Sequence, residues 1–402
     1  MEQSLHKATS SEAPGGETQL NPDQPAPESR QKDARRYHRS GRTVGVARSA
    51  LGFLFLAGVL FAGLSRALAE WVRTFAWHQW LEIAVFCAIL FVVYEILSLP
   101  LDYYSGHRLL RRFGLSRQTP GDWLKDHFKG VLIGLLLGLV GFEILYWLLR
   151  MTDPVTFPLW AGLALVGFLI LASWLFPVLL MPVFFKTQPV RDEELNRRLA
   201  ELVHDAGAQL RGIFQFDLGR KSRVANAALT GLGKTRRILL SDTLLSNFTG
   251  EEIGVVLAHE LAHHKRRHIP KLIAAQTVLG IGAFFAVRFA LRSLAPFLEL
   301  DGAADPAGLP LMLLVLGGAG FVAAPFWRSA SRRLEAGCDD YALRATNDPE
   351  SFISAMRKLA ALNLAEESPS PWVERLFYSH PPIARRIEQA KKFRRDLSTA
   401  GG

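Results

Sequence analysis

The amino-acid sequence predicts a predominantly α-helical polytopic membrane protein, a bundle of about six transmembrane helices with an α+β domain on the cytoplasmic side. Three observations support this fold class. Hydrophobic residues make up 49% of the 402 residues and are concentrated in long blocks. Lysine and arginine cluster in alternate loops between the blocks, and the less apolar segments at 186–270 and 331–402 carry metal-ligating side chains at helical spacing.

Six apolar stretches are long enough to cross the ~30 Å hydrocarbon core of a bilayer as helices. Two of them are almost free of charge, which disfavours burial in a large soluble domain. The first begins too late for a signal peptide and lacks a convincing cleavage site, so we expect a retained span there. The predicted spans are 50–69, 81–101, 131–149, 159–183, 272–294 and 309–326.

The distribution of basic residues predicts the orientation, because loops rich in Lys and Arg stay in the cytoplasm. Residues 1–46 carry seven Lys or Arg residues and 105–130 carry six, whereas 299–305 holds three acidic residues and no basic one. Six spans with this alternation place both termini and the segments 184–270 and 328–402 in the cytoplasm. Anionic membrane lipid then explains the net charge of +10, and without a nucleic-acid-binding motif we expect no nucleic-acid partner.

The order of segments predicts five regions. Residues 1–46, rich in Pro, Gly, Ser, Gln and charge, are predicted to form a disordered polar tail. Residues 47–185 hold four spans and 271–330 hold two. The segment 186–270 is predicted to contain a helix at 192–206 and short strands at 212–218 and 237–240, and 331–402 completes the α+β domain.

The sequence His259-Glu260-Leu-Ala-His263 lies in an otherwise apolar run that is typical of a helix. Imidazoles four residues apart share one helix face and can bind a single Zn²⁺, while Glu260 can polarise a water molecule. This arrangement is typical of a zincin-like metallopeptidase. The alternative is an exposed helix with unrelated histidines. Two further histidines, His264 and His268, are expected to be solvated or to cap the helix, although His268 at the far end of the run could contact substrate.

A catalytic zinc needs a third protein ligand and one open position. The best candidate is Glu335, which shares a predicted helix face with Asp339. Asp339 could accept the other ring N–H of a liganding histidine. Taken alone, this segment could equally be a solvated helix with scattered carboxylates. Further on, His380 begins a proline turn and Arg386 follows six residues later, so both could reach a developing oxyanion.

Together these segments resemble the type I CAAX prenyl proteases, which are integral-membrane zinc metallopeptidases related to the HtpX-type heat-shock proteases. The resemblance covers residues 99–391. The matching motifs are Leu-Pro-Leu-Asp-Tyr-Tyr-Ser at 99–105, Met-Pro-Val-Phe-Phe-Lys at 181–186, Asn-Ala-Ala-Leu-Thr-Gly-Leu-Gly at 226–233, Ser-Asp-Thr-Leu-Leu at 241–245, the His-Glu-Leu-Ala-His motif, the Glu335 segment and Ser-His-Pro-Pro at 379–382.

The resemblance implies a metal centre with one Zn²⁺ per chain. The ligands would be His259, His263 and Glu335. Glu260 would act as the general base, and Asp339 would hydrogen-bond a ligand from behind.

The resemblance also implies how substrates bind. Asn226 and Ala227 would belong to an edge strand that pairs with the substrate backbone, and His380 and Arg386 would help to bind the substrate or the transition state. Substrates would be peptides or proteins, either C-terminal segments beside a prenylated cysteine or, as in the HtpX-like alternative, misfolded membrane proteins. A non-catalytic zinc-binding scaffold is disfavoured because Glu260 and all proposed ligands are present.

Overall fold

The structure, a computed structural model, describes residues 28–208, 211–231 and 236–400. Six of its helices are long and apolar enough to cross a membrane, which confirms the predicted helical membrane bundle. The helices are α1 Glu28–Phe61, α2 Leu64–Arg73, α3 Gln79–Tyr103, α4 Leu110–Arg112, α5 Pro120–Met151, α6 Phe157–Leu175, α7 Met181–Phe184, α8 Glu193–Asp205, α9 Asp242–Asn247, α10 Gly250–Lys265, α11 His268–Leu294, α12 Leu309–Thr346, α13 Pro349–Leu362, α14 Pro371–Phe377 and α15 Ile383–Ala400.

The first membrane helix differs from the prediction at both ends. Helix α1 begins at Glu28, so the predicted disordered tail is wrong over residues 28–46, and residues 1–27 lie outside the described chain. The helix ends at Phe61 because Gly63 adopts a left-handed φ of 71°, a conformation that terminates helices. The short helix α2 follows, so the predicted span 50–69 is not one continuous helix.

The polar part of α1 is ordered by contacts with the distant C-terminal region. Ala34 is almost fully buried. Arg42 Nη1 donates to Glu366 Oε2 at 3.1 Å, and His38 Nε2 lies 3.1 Å from the carbonyl oxygen of Leu364. These partners are more than 300 positions away along the chain, and a prediction from local composition cannot include them.

The loops of the bundle gather at two ends. At one end, Arg117 N donates to the carbonyl oxygen of Lys221 at 2.8 Å. At the other, Arg73 of α2 donates to Asp301 Oδ2 and Asp305 Oδ1, each at 2.9 Å. The long helix α3 separates Arg73 from Arg117 along the chain. The basic loop after α4 therefore shares an end with the α+β domain, whereas the acidic loop 299–305 lies at the other end, as the charge pattern predicts.

A four-stranded sheet forms the centre of the α+β domain. Its strands are β1 Thr187–Pro189, β2 Ile213–Phe216, β3 Ala227–Thr230 and β4 Arg237–Ser241, in the order β1-β2-β4-β3. Strands β2 and β4 are parallel, and the two outer pairs are antiparallel. The predicted helix and both predicted strands are confirmed as α8, β2 and β4. Four fully buried side chains join the sheet to α8 and α10: Leu199, Ile238, Leu240 and Leu257.

Helix α12 joins the membrane bundle to the α+β domain. It runs for 38 residues without interruption, a length of about 57 Å at 1.5 Å per residue. The predicted boundary at 330/331 between a membrane region and a second peptidase region falls inside this helix, which continues past its internal Pro325. Because the helix is continuous, Glu335 and Asp339 lie beyond the membrane bundle and face α10.

Candidate active site

Helix α10 is held firmly at its start. Thr249 and Glu252 form a capping box, in which each side chain accepts a hydrogen bond from the backbone N–H of the other residue. Lys358 of α13 also donates to Glu252 Oε2 at 2.7 Å. Most of the following helix is buried in the core. The imidazoles of His259 and His263 are therefore presented from a rigid element.

Two imidazoles of α10 converge on one carboxylate of α12. His259 Nε2 lies 3.0 Å from Glu335 Oε2, and His263 Nε2 lies 3.6 Å from Glu335 Oε1. His259 and Glu335 are both buried. Two Nε2 atoms and a carboxylate form the donor set of many catalytic zinc sites, which leave a fourth position open.

Asp339 and Arg386 fix the orientation of His259. Asp339 is completely buried, and its Oδ1 lies 2.9 Å from His259 Nδ1. Arg386 of α15 donates to both carboxylate oxygens of Asp339, with Nε 2.8 Å from Oδ2. Such contacts behind a ligand hold the imidazole ring with Nε2 toward the metal position.

The electrostatics of the cluster favour a cation. Burial acts to lower the pKa of the His259 imidazole, but hydrogen bonds to Asp339 and Glu335 outweigh it and raise the pKa to about 9. Two carboxylates in contact with His259 face one guanidinium, that of Arg386. Buried charges need compensation, and a divalent metal held by the two imidazoles and Glu335 would supply the positive charge that a protonated His259 ring supplies without it. The residues present therefore fit a catalytic metal.

Glu260 lies between the ligand cluster and strand β3. Burial raises the pKa of its carboxyl group, against the opposing influence of His259, His263 and the backbone N–H of Leu229, which donates to the carboxylate. A raised pKa suits a general base. Sequence reasoning missed Leu229 because its contact comes from a backbone amide, which no side-chain pattern indicates.

The free edge of β3 faces this site. In the sheet that the structure describes, β3 pairs with β4 alone. Ser241 N donates to the carbonyl oxygen of Asn226 at 2.9 Å. Because backbone groups alternate in direction along an antiparallel strand, those of Ala227 and Leu229 point away from β4. The structure thus brings Asn226, just before the strand, and Ala227 to the edge that leads to Glu260.

His380 reaches the cluster from its exposed side. Its Nε2 lies 3.3 Å from Glu335 Oε2, and its side chain is 56% exposed. Arg386 differs, since it is buried and its recorded partners are Asp339 and the His259 ring. A direct contact of Arg386 with substrate stays a prediction.

His268 is a neighbour of the cluster, so the expectation that it is solvated or caps α10 is wrong. It is buried, and its Nδ1 lies 3.1 Å from His263 Nδ1. The sequence feature that could have indicated this contact is the position of His268, five residues after His263 and at the start of the next helix. Cys338 lies within ligand distance of His259 and His263, but its Sγ adjoins His268 Nδ1 at 3.7 Å. Both Nε2 atoms face the carboxylate of Glu335, so Glu335 as third ligand stays a prediction that the geometry favours over Cys338.

Comparison with protein families matches nearly the whole chain. A model of peptidase family M48 matches residues 189–394, and the model described as the CAAX prenyl protease N-terminal region with five membrane helices matches residues 22–186. In the described part of 22–186, four helices are long and apolar enough to span a membrane. Helix α2 has ten residues, too few to cross a bilayer alone.

Individual relatives agree with the two family models and confirm the resemblance to CAAX prenyl proteases that was found in the sequence. CAAX prenyl protease 1 of Saccharomyces cerevisiae is 30% identical over 322 residues, covering 75% of this chain and 70% of the relative. The uncharacterized metalloprotease YhfN of Bacillus subtilis is 27% identical over 344 residues, covering 85% and 80%. The crystal structure of S. mikatae Ste24p shares the fold, with a TM-score of 0.78, 24% identity and coverage of 90% and 89%. The chain therefore belongs to peptidase family M48, as a multi-pass membrane metalloendopeptidase.

Proposed function

We propose that the protein uses one zinc ion per chain to hydrolyse peptide bonds in substrates that lie extended along β3. One observation carries the proposal. His259 Nε2 and His263 Nε2 lie 3.0 and 3.6 Å from the oxygens of Glu335, beside the half-buried Glu260. This combination supplies three ligands and a base at one position, which is what metal-assisted hydrolysis requires.

The chain's own residues divide the chemical work. Zinc bound there would lower the pKa of water toward ~7 and polarise the scissile carbonyl. Glu260 accepts a proton from the attacking water and later delivers it to the leaving amine. The N–H of Leu229 holds the Glu260 carboxylate toward β3. His380, on the exposed side of the cluster, donates to the developing oxyanion.

Asp339 and Arg386 act as positioning residues. Asp339 accepts the Nδ1 proton of His259, which keeps Nε2 free for the metal. Arg386 holds both oxygens of Asp339. Its contribution to turnover therefore comes through His259, and any direct contact of Arg386 with substrate would be additional.

Substrate recognition relies on the backbone. The outward groups of Ala227 and Leu229 can pair with an extended peptide as an additional strand, and the exposed side chain of Asn226 can hydrogen-bond the same backbone. Main-chain pairing of this kind makes side-chain selectivity loose. We propose C-terminal segments beside a prenylated cysteine as substrates, because the S. cerevisiae relative is named a CAAX prenyl protease. Misfolded membrane proteins are the rival class.

One cleavage assay separates the two proposed substrate classes, prenylated peptides and misfolded proteins, and also tests the role of His380. Purified protein in detergent is given a farnesylated peptide, its unmodified counterpart and casein. A chelator should abolish cleavage and zinc should restore it. His380→Ala and Arg386→Ala should both lower kcat with smaller effects on zinc content. For His380, the proposed oxyanion donor, the fall should be ~10²-fold or more. The matched controls are exposed residues, His204→Ala and Arg385→Ala. A wild-type protein that binds zinc but cleaves none of the three substrates would favour the alternative of a non-catalytic zinc-binding scaffold.

The active site and both termini are proposed to face the cytoplasm, because the basic loops lie at the same end as the sheet. Single cysteines at positions 20, 112, 220 and 395 should react with a membrane-impermeant reagent from the cytoplasmic side of sealed vesicles, and the last three of these positions are exposed. A cysteine at position 303 should react from the opposite side. Background labelling should be low because Cys87 and Cys338 are buried. Labelling of positions 112 and 220 from different sides would contradict the proposed topology.

A further inference from the structure

We propose that the polar first part of α1 holds His380 in the position from which it donates to the oxyanion. This part of the helix, residues 28–46, is called here the α1 arm. The inference rests on the proposed function, in which His380 is the oxyanion donor. It assigns Arg42, Glu366 and Tyr378 as positioning residues, which act on His380 through contacts between segments that are distant along the chain.

His380 lies on a turn between α14 and α15, outside any helix that could hold it in place. Its side chain is 56% exposed, yet its Nε2 lies 3.3 Å from Glu335 Oε2. Ser379 Oγ lies 2.9 Å from His380 Nδ1, but Ser379 belongs to the same turn. An oxyanion donor is effective when it is already in place as charge develops. The restraint must therefore come from tertiary contacts of the turn.

Tyr378, which begins the turn, is held by two such contacts. Its carbonyl oxygen accepts a hydrogen bond from Arg332 Nη1 at 2.7 Å. Arg332 precedes Glu335 by three residues on α12, so the backbone of the turn is tied to the helix that carries a metal ligand. The hydroxyl of Tyr378 donates to Glu366 Oε2 at 3.0 Å. The backbone and the side chain of this residue are thus fixed from two different elements.

Glu366 joins the turn to the α1 arm. Arg42 Nη1 donates to Glu366 Oε2 at 3.1 Å, and the same oxygen accepts the hydrogen bond from Tyr378. The side chain of Glu366 is only 9% exposed. Because a buried carboxylate is costly without a positive partner, Arg42 keeps Glu366 charged and in place as the acceptor. Without Arg42, the Glu366 carboxylate would turn toward water and release the Tyr378 hydroxyl.

Further contacts hold the segment on both sides of this carboxylate. From the α1 arm, His38 Nε2 lies 3.1 Å from the carbonyl oxygen of Leu364, and Gln31 Oε1 accepts from the backbone N–H of Glu367 at 3.3 Å. On the other side, the carbonyl oxygen of Glu367 accepts from Ala384 N of α15 at 3.2 Å. The α1 arm therefore packs at several points against the segment that supports the turn, although more than 300 positions separate them along the chain.

The test removes single groups of this network and measures kcat, KM and zinc content with a fluorogenic peptide as substrate. Tyr378→Phe, which deletes only a hydroxyl, and Arg42→Ala should each lower kcat by at least ~10-fold, because a displacement of about 1 Å can cost ~10²-fold. KM and zinc content should change little, as expected when a transition-state interaction is lost. The matched controls on the α1 arm are Tyr37→Phe, whose ring packs against Phe113, and Arg39→Ala at an exposed position. Both should keep the wild-type kcat.

Combination with His380→Ala separates positioning from a general loss of structure. Because residues that act through one another are not additive, Tyr378→Phe should have no further effect on kcat in a His380→Ala background. An equal fold-loss in both backgrounds would overturn the proposal, as would a wild-type kcat for either Tyr378→Phe or Arg42→Ala. If Arg42→Ala does not fold, Glu366→Gln, which keeps the shape of the side chain, supplies the same comparison.

Failure of the proposed function gives different results. A wild-type kcat for His380→Ala refutes the oxyanion role of His380, whatever the α1 arm does. A wild-type protein that cleaves no peptide refutes the peptidase function itself. In contrast, a large loss in His380→Ala together with normal turnover in Tyr378→Phe leaves the proposed function standing and refutes only the positioning by the α1 arm.

Discussion

Glu260→Gln should lower turnover by at least ~10²-fold, the usual scale for loss of a general base, while zinc content and fold stay intact. Glutamine keeps the shape of the side chain, and its amide oxygen can still accept the hydrogen bond from Leu229, but it cannot take a proton from water. The measurements are kcat on a fluorogenic peptide, metal stoichiometry by mass spectrometry and thermal unfolding of the same preparation.

The matched control for this substitution is Glu251→Gln, the same change on the same helix. The side chain of Glu251 is 50% exposed and pairs with Arg198, so turnover should remain at the wild-type level. Cleavage by Glu260→Gln at the wild-type rate would point to a contaminating protease or to another base.

Replacement of any metal ligand should remove zinc from the purified protein. His259→Ala, His263→Ala and Glu335→Ala each leave two ligands, which do not hold a catalytic zinc. Activity should disappear together with the metal. Metal content and kcat are measured on proteins whose folding is checked by thermal unfolding. If Glu335→Ala kept full zinc and activity, the third-ligand assignment would be wrong, and Cys338 would be the next residue to replace.

Replacement of Asp339, which contacts His259 Nδ1, should weaken metal binding without abolishing it. Asp339→Ala should weaken zinc binding or activity ~10–100-fold, as changes behind a ligand do. Because this change also leaves Arg386 buried without its partner, Asp339→Asn serves as a milder variant that keeps the shape. Asp340→Ala, at the half-exposed neighbouring position, is the control and should bind zinc normally. Normal zinc binding and activity in Asp339→Asn and Asp339→Ala would exclude the positioning role.

Local patterns predicted the membrane helices and the metal helix because their signals lie in adjacent residues. Apolar blocks identify spans by length and composition, and the four-residue spacing of His259 and His263 depends only on helix geometry. The same local reading failed at the start of α1. Its polar sequence looks disordered, yet Arg42 and His38 bind Glu366 and Leu364, and these tertiary contacts order the helix.

By itself, the sequence determined that this protein is a helical membrane protein with a metallopeptidase motif, since periodicity, hydropathy and ligand spacing are local properties. The tertiary structure alone decided how the site is completed. It paired Arg386 with Asp339 and brought the Leu229 amide to Glu260. Each of these depends on which distant elements meet and at what distance, and residue spacing along one chain does not contain that information.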